Sequence, residues 1–246
     1  MLTLVGLGLS DEKDISLRGV EAIEKADKVF LESYTSPWKG LEGLRDLVEK
    51  NVESVERSDL EENADRVLKP AEEEDVAVLI PGDPLVATTH VELLLQAERK
   101  NVETEVVHSS SIYSAVAETG LQIYKFGKTT TIPIPQKNYR PRSPYEAIEE
   151  NKERGLHTLA LLDIKDRPME VGEGLEYLLK LEEEKQNGII NKDMKVVALS
   201  VGPEDKSMAY EEVSKLLKRD FPTPAVIIFP GKLHEKEEEA LEVLAD

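Results

Sequence analysis

Thr3-Leu4-Val5-Gly6-Leu7-Gly8-Leu9-Ser10-Asp11-Glu12-Lys13-Asp14, followed by Ile15 through Ala26, is the stretch whose reading decides the fold. Thr3 to Val5 reads as a short apolar strand, Gly6 to Asp14 as a loop, and Ile15 to Ala26 as a helix with Leu17, Val20, Ile23 and Glu24 on one face. Ser10 or Asp14 stands where a cap belongs. Strand, glycine loop and helix in that order open an α/β sheet, and a loop without Cβ atoms lets a ligand approach the backbone at the carboxyl end of a strand. The dinucleotide fingerprint G-x-G-x-x-G is incomplete, because position 11 is Asp where the third glycine belongs. A plain turn and a ligand turn are equally consistent with the spacing.

The alternation continues outward, which is the pattern of a largely parallel α/β sheet. Lys28 to Glu32 reads as a strand, Leu41 to Val48 as a helix, and Val76 to Ile80 as a buried strand that Pro81-Gly82-Asp83-Pro84 terminates. Thr88 to Lys100 follows as an amphipathic helix and Glu103 to Val107 as a strand; Ser109-Ser110-Ser111 then opens a helix running through Ser114 to Glu118. A Thr- and Pro-rich stretch, Thr129 to Pro144, changes the texture before a helix from Tyr145 to Arg154. Apolar strands recur at Thr158 to Leu162, Lys195 to Ser200 and Ala225 to Phe229. The predicted architecture is two α/β domains, 1–118 and 119–246, each a mostly parallel or mixed sheet flanked by helices.

The chain has 246 residues, 40% of them apolar and 33% charged, and so can bury a substantial core. No apolar run approaches the roughly 20 residues of a membrane-spanning helix, and the amino terminus lacks the basic region of a signal peptide. A soluble, cytoplasmic protein is expected. The absence of cysteine removes disulfides, thiolate metal sites and a cysteine nucleophile together. A formal charge of −19 opposes binding to a phosphate backbone, which depends on clustered Lys and Arg.

Two further loops end buried strands at the same predicted sheet edge as Gly6 to Leu9. In Pro81-Gly82-Asp83-Pro84, Asp83 is suited to accept hydrogen bonds from a ribose or an amine. In Ser109-Ser110-Ser111-Ile112, Ser111 and the helix start behind it can offer backbone donors. Asp83, placed on a loop outside the core, is expected to tolerate alanine without loss of the fold. An ordinary Asp turn and a serine cap explain the same residues. His90, His108, His157 and His234 have no ligand spacing, so no metal is expected. The nucleophile elbow G-x-S-x-G and the P-loop are both missing.

Together these segments resemble the diphthine synthase family, within the tetrapyrrole-methylase-like class of S-adenosylmethionine enzymes. The resemblance rests on Leu4-Val5-Gly6-Leu7-Gly8-Leu9, on Ala26-Asp27-Lys28-Val29-Phe30-Leu31-Glu32-Ser33-Tyr34-Thr35-Ser36, and on Pro81-Gly82-Asp83-Pro84-Leu85-Val86-Ala87-Thr88-Thr89-His90. Ser110-Ser111-Ile112 through Gly120-Leu121-Gln122, Tyr124-Lys125-Phe126-Gly127, Leu161-Leu162-Asp163-Ile164-Lys165 and Pro230-Gly231-Lys232-Leu233-His234 extend it over essentially the whole chain. The resemblance implies transfer of methyl groups from S-adenosyl-L-methionine, giving S-adenosyl-L-homocysteine, to the amino group of a modified histidine on translation elongation factor 2. A trimethylammonium product in diphthamide biosynthesis, a homodimer and a cofactor cleft between the two domains are implied with it. By position, cofactor contacts fall on Leu9, Asp83, Val86, Ser111, Ile112, Leu162, Val201 and Ala225, the last replacing a histidine frequent in the family.

Methyl transfer from a sulfonium needs an in-line approach and a neutral amine, with neither metal nor covalent protein intermediate. A reference α-amino group titrates near pH ~8, so deprotonation is part of the problem. No catalytic base is assigned from the sequence. Two other functions fit the same pattern: a tetrapyrrole or ribosomal-RNA methyltransferase, and a module that binds cofactor without turnover. The charge opposes the RNA substrate. The scarcity of arginine, with only Arg140, Arg142 and Arg154 between Arg99 and Arg167, opposes a polycarboxylate one.

Overall fold

The computed structural model describes residues 1–246 except 33, 35–37, 138, 165–166, 203–205 and 246. Ser33, Thr35, Ser36 and Lys165, which form part of the quoted motifs, therefore lie outside the described residues. The chain divides into two units, Met1–Ala115 and Val116–Asp246, a little earlier than the boundary drawn after residue 118.

In the first unit the chain runs β1 (Leu2–Gly6), α1 (Leu17–Lys25), β2 (Lys28–Glu32), α2 (Leu41–Val48), β3 (Val52–Val55), α3 (Arg57–Glu61) and α4 (Asp65–Ala71). It continues through β4 (Val76–Ile80), α5 (Val91–Arg99), β5 (Thr104–Val107) and the single turn α6 (Ile112–Ala115). The strands lie in the order β3-β2-β4-β1-β5, every pair parallel. Such a sheet is covered on both faces, which is why β4 is apolar throughout and Thr3 is the one polar side chain in β1. Leu2, Leu4, Val76, Val78 and Ile80 pack with α4 and α5, whereas Val5, Ala77 and Leu79 pack with α1 and α2. The alternation follows from the two-residue period of a strand.

Three local expectations are corrected here. Helix α1 starts two residues late, capped by Ser16, whose hydroxyl accepts the Gly19 N–H at 3.1 Å. Its buried residues are Gly19 and Ile23, while Leu17 is 83% exposed and Glu24 also faces solvent. Glycine lets the helix lie against the sheet: a Cβ on Gly19 would stand 3.1 Å from Val5. Helix α5 begins at Val91, because the Thr88 hydroxyl turns back to the Pro84 carbonyl at 2.7 Å and that of Thr89 to Glu61 at 2.8 Å. The helix expected from Ser109 to Glu118 is one α turn followed by a 3₁₀ turn, Val116–Thr119.

The second unit continues from that 3₁₀ turn through another at Ile123–Lys125, then β6 (Thr130–Ile132), α7 (Ser143–Glu153), β7 (Thr158–Leu162) and α8 (Val171–Lys185). It ends with β8 (Lys195–Ser200), β9 (Ser207–Glu212), α9 (Val213–Leu216), β10 (Val226–Phe229) and α10 (Glu235–Leu244). The order is β6-β7-β10-β8-β9, with β6 parallel to β7 and every other pair antiparallel. The sheet is thus mixed, and α7, α8 and α9 share one core with it around Ile132, Tyr145, Leu178 and Ile227.

Behind the amino end of β7 a fully buried polar clasp ties distant segments together. His157 Nε2 lies 3.0 Å from Glu237 Oε1, and the Gly231 N–H donates to His157 Nδ1 at 2.9 Å. Nδ1 is therefore the acceptor, and Nε2 carries the proton given to Glu237. The same carboxylate receives the Gln122 N–H at 2.9 Å, the His234 N–H at 2.8 Å and a short ion pair from Lys125. Among the described residues no helix is long and apolar enough to cross a membrane, and no group of acidic and histidine side chains is placed to hold a metal.

Candidate active site

Parallel strands β1, β4 and β5 send their carboxyl ends to the same edge of the first sheet. The chain leaves β1 toward α1 on one face and leaves β4 toward α5 on the other. This is the switch point at which open α/β sheets bind ligands. Three loops meet there. The Gly82 N–H donates to the Gly8 carbonyl at 2.7 Å and the Gly8 N–H returns to Gly82 at 3.2 Å, both residues in the left-handed region at φ 77° and 74°. Gly6 is required by space rather than by φ: a Cβ there would stand 2.7 Å from Ser109 Cβ and 2.8 Å from the Gly82 carbonyl oxygen.

Asp83 fastens the third loop. It is 5% exposed, and its Oδ2 accepts the Ser109 N–H at 3.2 Å and lies 2.8 Å from His108 Nδ1. Its Oδ1 accepts the Leu85 N–H at 3.0 Å. The carboxylate therefore joins the ends of β4 and β5, and the residue expected on a loop outside the core, dispensable for the fold, is a buried brace. Each carboxylate oxygen can accept two hydrogen bonds, so Oδ1 keeps an acceptor position for a ligand hydroxyl or ammonium.

The remaining expected contacts of this unit surround that brace. Leu9 is half-buried, its N–H donated to the Asp14 carboxylate at 3.1 Å, so Asp14 shapes the loop instead of capping α1. Val86 is half-buried in the turn after Asp83, to whose carbonyl it donates at 3.3 Å. Ser111 is buried, but its N–H is taken by the Ser114 hydroxyl at 3.1 Å. With only one α turn behind it, the donor role expected of Ser111 is spent locally. Ile112 opens that turn, half-buried.

Leu162, Val201 and Ala225 belong to the second unit and gather at one end of its sheet. The β7–β10 register places Ala225 opposite Leu162, and the β8–β10 register places it opposite Ser200, next to Val201. Leu162 and Ala225 are buried and Val201 half-buried. Leu162 packs on α8 at Gly174, where a Cβ would come within 2.7 Å of it.

A second polar group at the edge of the first sheet went unassigned from the sequence, although Glu32, Tyr34 and His90 stand in the quoted motifs. Glu32 is fully buried at the end of β2 and accepts the Tyr34 N–H at 2.6 Å. The Tyr34 hydroxyl lies 3.3 Å from His90 Nε2, and His90 Nδ1 lies 3.2 Å from the Pro84 carbonyl. Burial pushes the His90 pKa below the ordinary histidine value against the opposing pull of Glu32, and burial with Glu32 and Glu61 pushes Tyr34 above the ordinary phenol value. A carboxylate closing the apolar strand Lys-Val-Phe-Leu-Glu was the one available sign.

A family model for tetrapyrrole (corrin/porphyrin) methylases matches residues 1–199. The chain belongs to that family. Its relatives include the diphthine synthase of Methanocaldococcus jannaschii, 44% identical over 100% of this chain and 99% of that one. The diphthine synthase of Methanococcus aeolicus is 43% identical over 100% and 98% of the two chains. A crystal structure of diphthine synthase superposes on this tetrapyrrole methylase with a TM-score of 0.91, at 39% identity, covering 100% of this chain and 96% of that one.

Proposed function

We propose that this tetrapyrrole methylase makes diphthine: it methylates the amino group of the modified histidine of translation elongation factor 2, with S-adenosyl-L-methionine as methyl donor. The observation that carries the reading is the interlocked edge of β1, β4 and β5, where glycines open the backbone and buried Asp83 keeps one acceptor position. That edge suits a nucleoside with hydroxyl and ammonium groups. When bound, the donor supplies an electrophilic methyl on a sulfonium. The protein's own residues bind and orient: Leu9, Asp83, Val86, Ser111 and Ile112 stand around that edge. We place the protein in the cytoplasm as a homodimer, where its substrate factor works.

The test is mass spectrometry of elongation factor 2 carrying the unmethylated precursor, incubated with this protein and S-adenosyl-L-methionine. A trimethylated histidine-containing peptide is the expected result. An unmodified factor, with calorimetry showing that the donor binds, would move the substrate to a tetrapyrrole or an RNA.

A further inference from the structure

Each methyl transfer to an amine leaves a proton to be disposed of. The substrate enters mainly as an ammonium, whose N–H pair must become the lone pair that forms the N–C bond while the C–S pair stays on sulfur. Among the expected cofactor contacts Asp83 is the one buried side chain able to take that proton, but its carboxylate is fixed by three loop hydrogen bonds and its one remaining acceptor position serves the bound donor. The edge of the sheet beside it holds a better arrangement. The β2–β4 register sets Glu32 level with Ile80, so Tyr34 follows beside the Gly82–Pro84 turn.

There the donors and acceptors can be assigned from geometry. The Pro84 carbonyl only accepts, so His90 Nδ1 carries a proton and donates to it at 3.2 Å. In the neutral ring Nε2 is then an acceptor, and the Tyr34 hydroxyl 3.3 Å away donates to it. The phenol oxygen keeps lone pairs for an incoming N–H and has no other partner among the described residues. His90 is buried while Tyr34 is half-buried, so the pair runs from the outside inward. Charges face the pair from each neighbouring element: Glu32 from β2, and Glu61 with Arg57 from α3, the guanidinium standing 5.1 Å over the Tyr34 ring.

We propose that Tyr34 and His90 form a proton relay for the methyl-transfer reaction: the substrate ammonium passes a proton to the Tyr34 oxygen while the Tyr34 proton moves to His90 Nε2. Atoms balance, since one N–H is lost, one N–C bond is made, and the proton rests on an imidazolium that Glu32 and Glu61 stabilise before its release to water. Tyr34 touches the substrate and His90 acts through it. The inference rests on the methyltransferase reading above.

The experiment compares wild-type protein, Tyr34→Phe and His90→Asn, the asparagine amide standing where Nδ1 does and keeping the bond to Pro84. Calorimetry with S-adenosyl-L-homocysteine is expected to give affinities within about twofold of wild type. Single-turnover methylation of the precursor factor is expected to fall on the order of 10²-fold at pH 7. The deficit shrinks about tenfold for each pH unit toward the pKa of the amine, because solvent then does the relay's work. A deficit that stays constant with pH belongs to packing and overturns the relay. So does a ¹⁵N-histidine spectrum of the unliganded wild-type protein in which His90 carries its proton on Nε2. A silent wild-type protein overturns the functional reading itself, and the relay with it.

Discussion

At the scale of the residue, Asp83 and Gly6 bear most of the weight. Asp83→Ala removes the acceptor of the part-buried Ser109 N–H and of the N–H of the more exposed Leu85, and because water can partly replace it the cost lies toward the low end of about 1–3 kcal/mol for each donor. Urea unfolding should therefore show a loss of about 1–2 kcal/mol, and calorimetry a loss of donor affinity of at least about tenfold, since a 1.4 kcal/mol difference already changes binding tenfold. Unchanged stability would mean that the brace does nothing for the fold. In Gly6→Ala the new methyl group meets backbone oxygen and a neighbouring Cβ that cannot swing aside. The loops must separate, so the variant should stay folded, with most of its donor affinity gone. A tight-binding Gly6→Ala protein would show that the close approach of the loops is incidental. Asp83, Val86 and Ser111 could be picked out by their place after buried strands. The service of Asp83 to Ser109 and His108 could not, because nothing local in a sequence records a partner twenty-five residues away.

Elements were legible in proportion to their burial. β2, β4, β7 and β8 match the expected bounds because each is built on an apolar run, Val29 to Leu31, Val76 to Ile80, Leu159 to Leu162 and Val196 to Leu199, as a strand covered on both faces requires, with polar residues kept to the strand ends. β9, with its Glu and Tyr, has a half-exposed face and no such run, and β3 with α3 and α4 is packed into a charged stretch that reads as surface. The clasp on α10 was missed because Glu235 to Asp246 looks like a solvated acidic face. Buried Glu237 is hidden within it by composition alone. Its consequence is a pH profile. Burial raises the pKa of Glu237, but Lys125, the Gln122 and His234 N–H groups and His157 outweigh it and bring the value from 4.5 to about 2. A carboxylate depressed by folding stabilises above its unfolded value, and that stability drains away as pH falls from about 4.5 to about 2. His157, held below its ordinary value by burial despite Glu237, adds loss beginning as pH drops through 6.5. Urea midpoints of Glu237→Gln should be lower at pH 7, by on the order of 3 kcal/mol once m is applied, and flatter below pH 4.5 than those of wild type. Parallel profiles would remove the clasp as a source of acid sensitivity.

For the whole molecule the net charge of −19 sets how it meets other macromolecules. A long-range field of one sign attracts a basic surface, and that attraction is screened over about 8 Å at physiological salt. Raising salt from 50 to 500 mM should raise KM for the factor several-fold and leave kcat and donor affinity nearly unchanged. An unresponsive KM would mean that docking depends on local contacts only. The order β3-β2-β4-β1-β5 has a different consequence, felt while the protein is being made. β2 acquires β3 soon after synthesis, but β1, apolar on both faces, pairs only with β4 and β5, beginning at Val76 and Thr104. Once clear of the ribosome it waits with both edges open, a sticky segment that chaperones can shield. The strand that carries the glycine turn is sealed last, so a nascent chain cannot hold the donor until β5 has emerged.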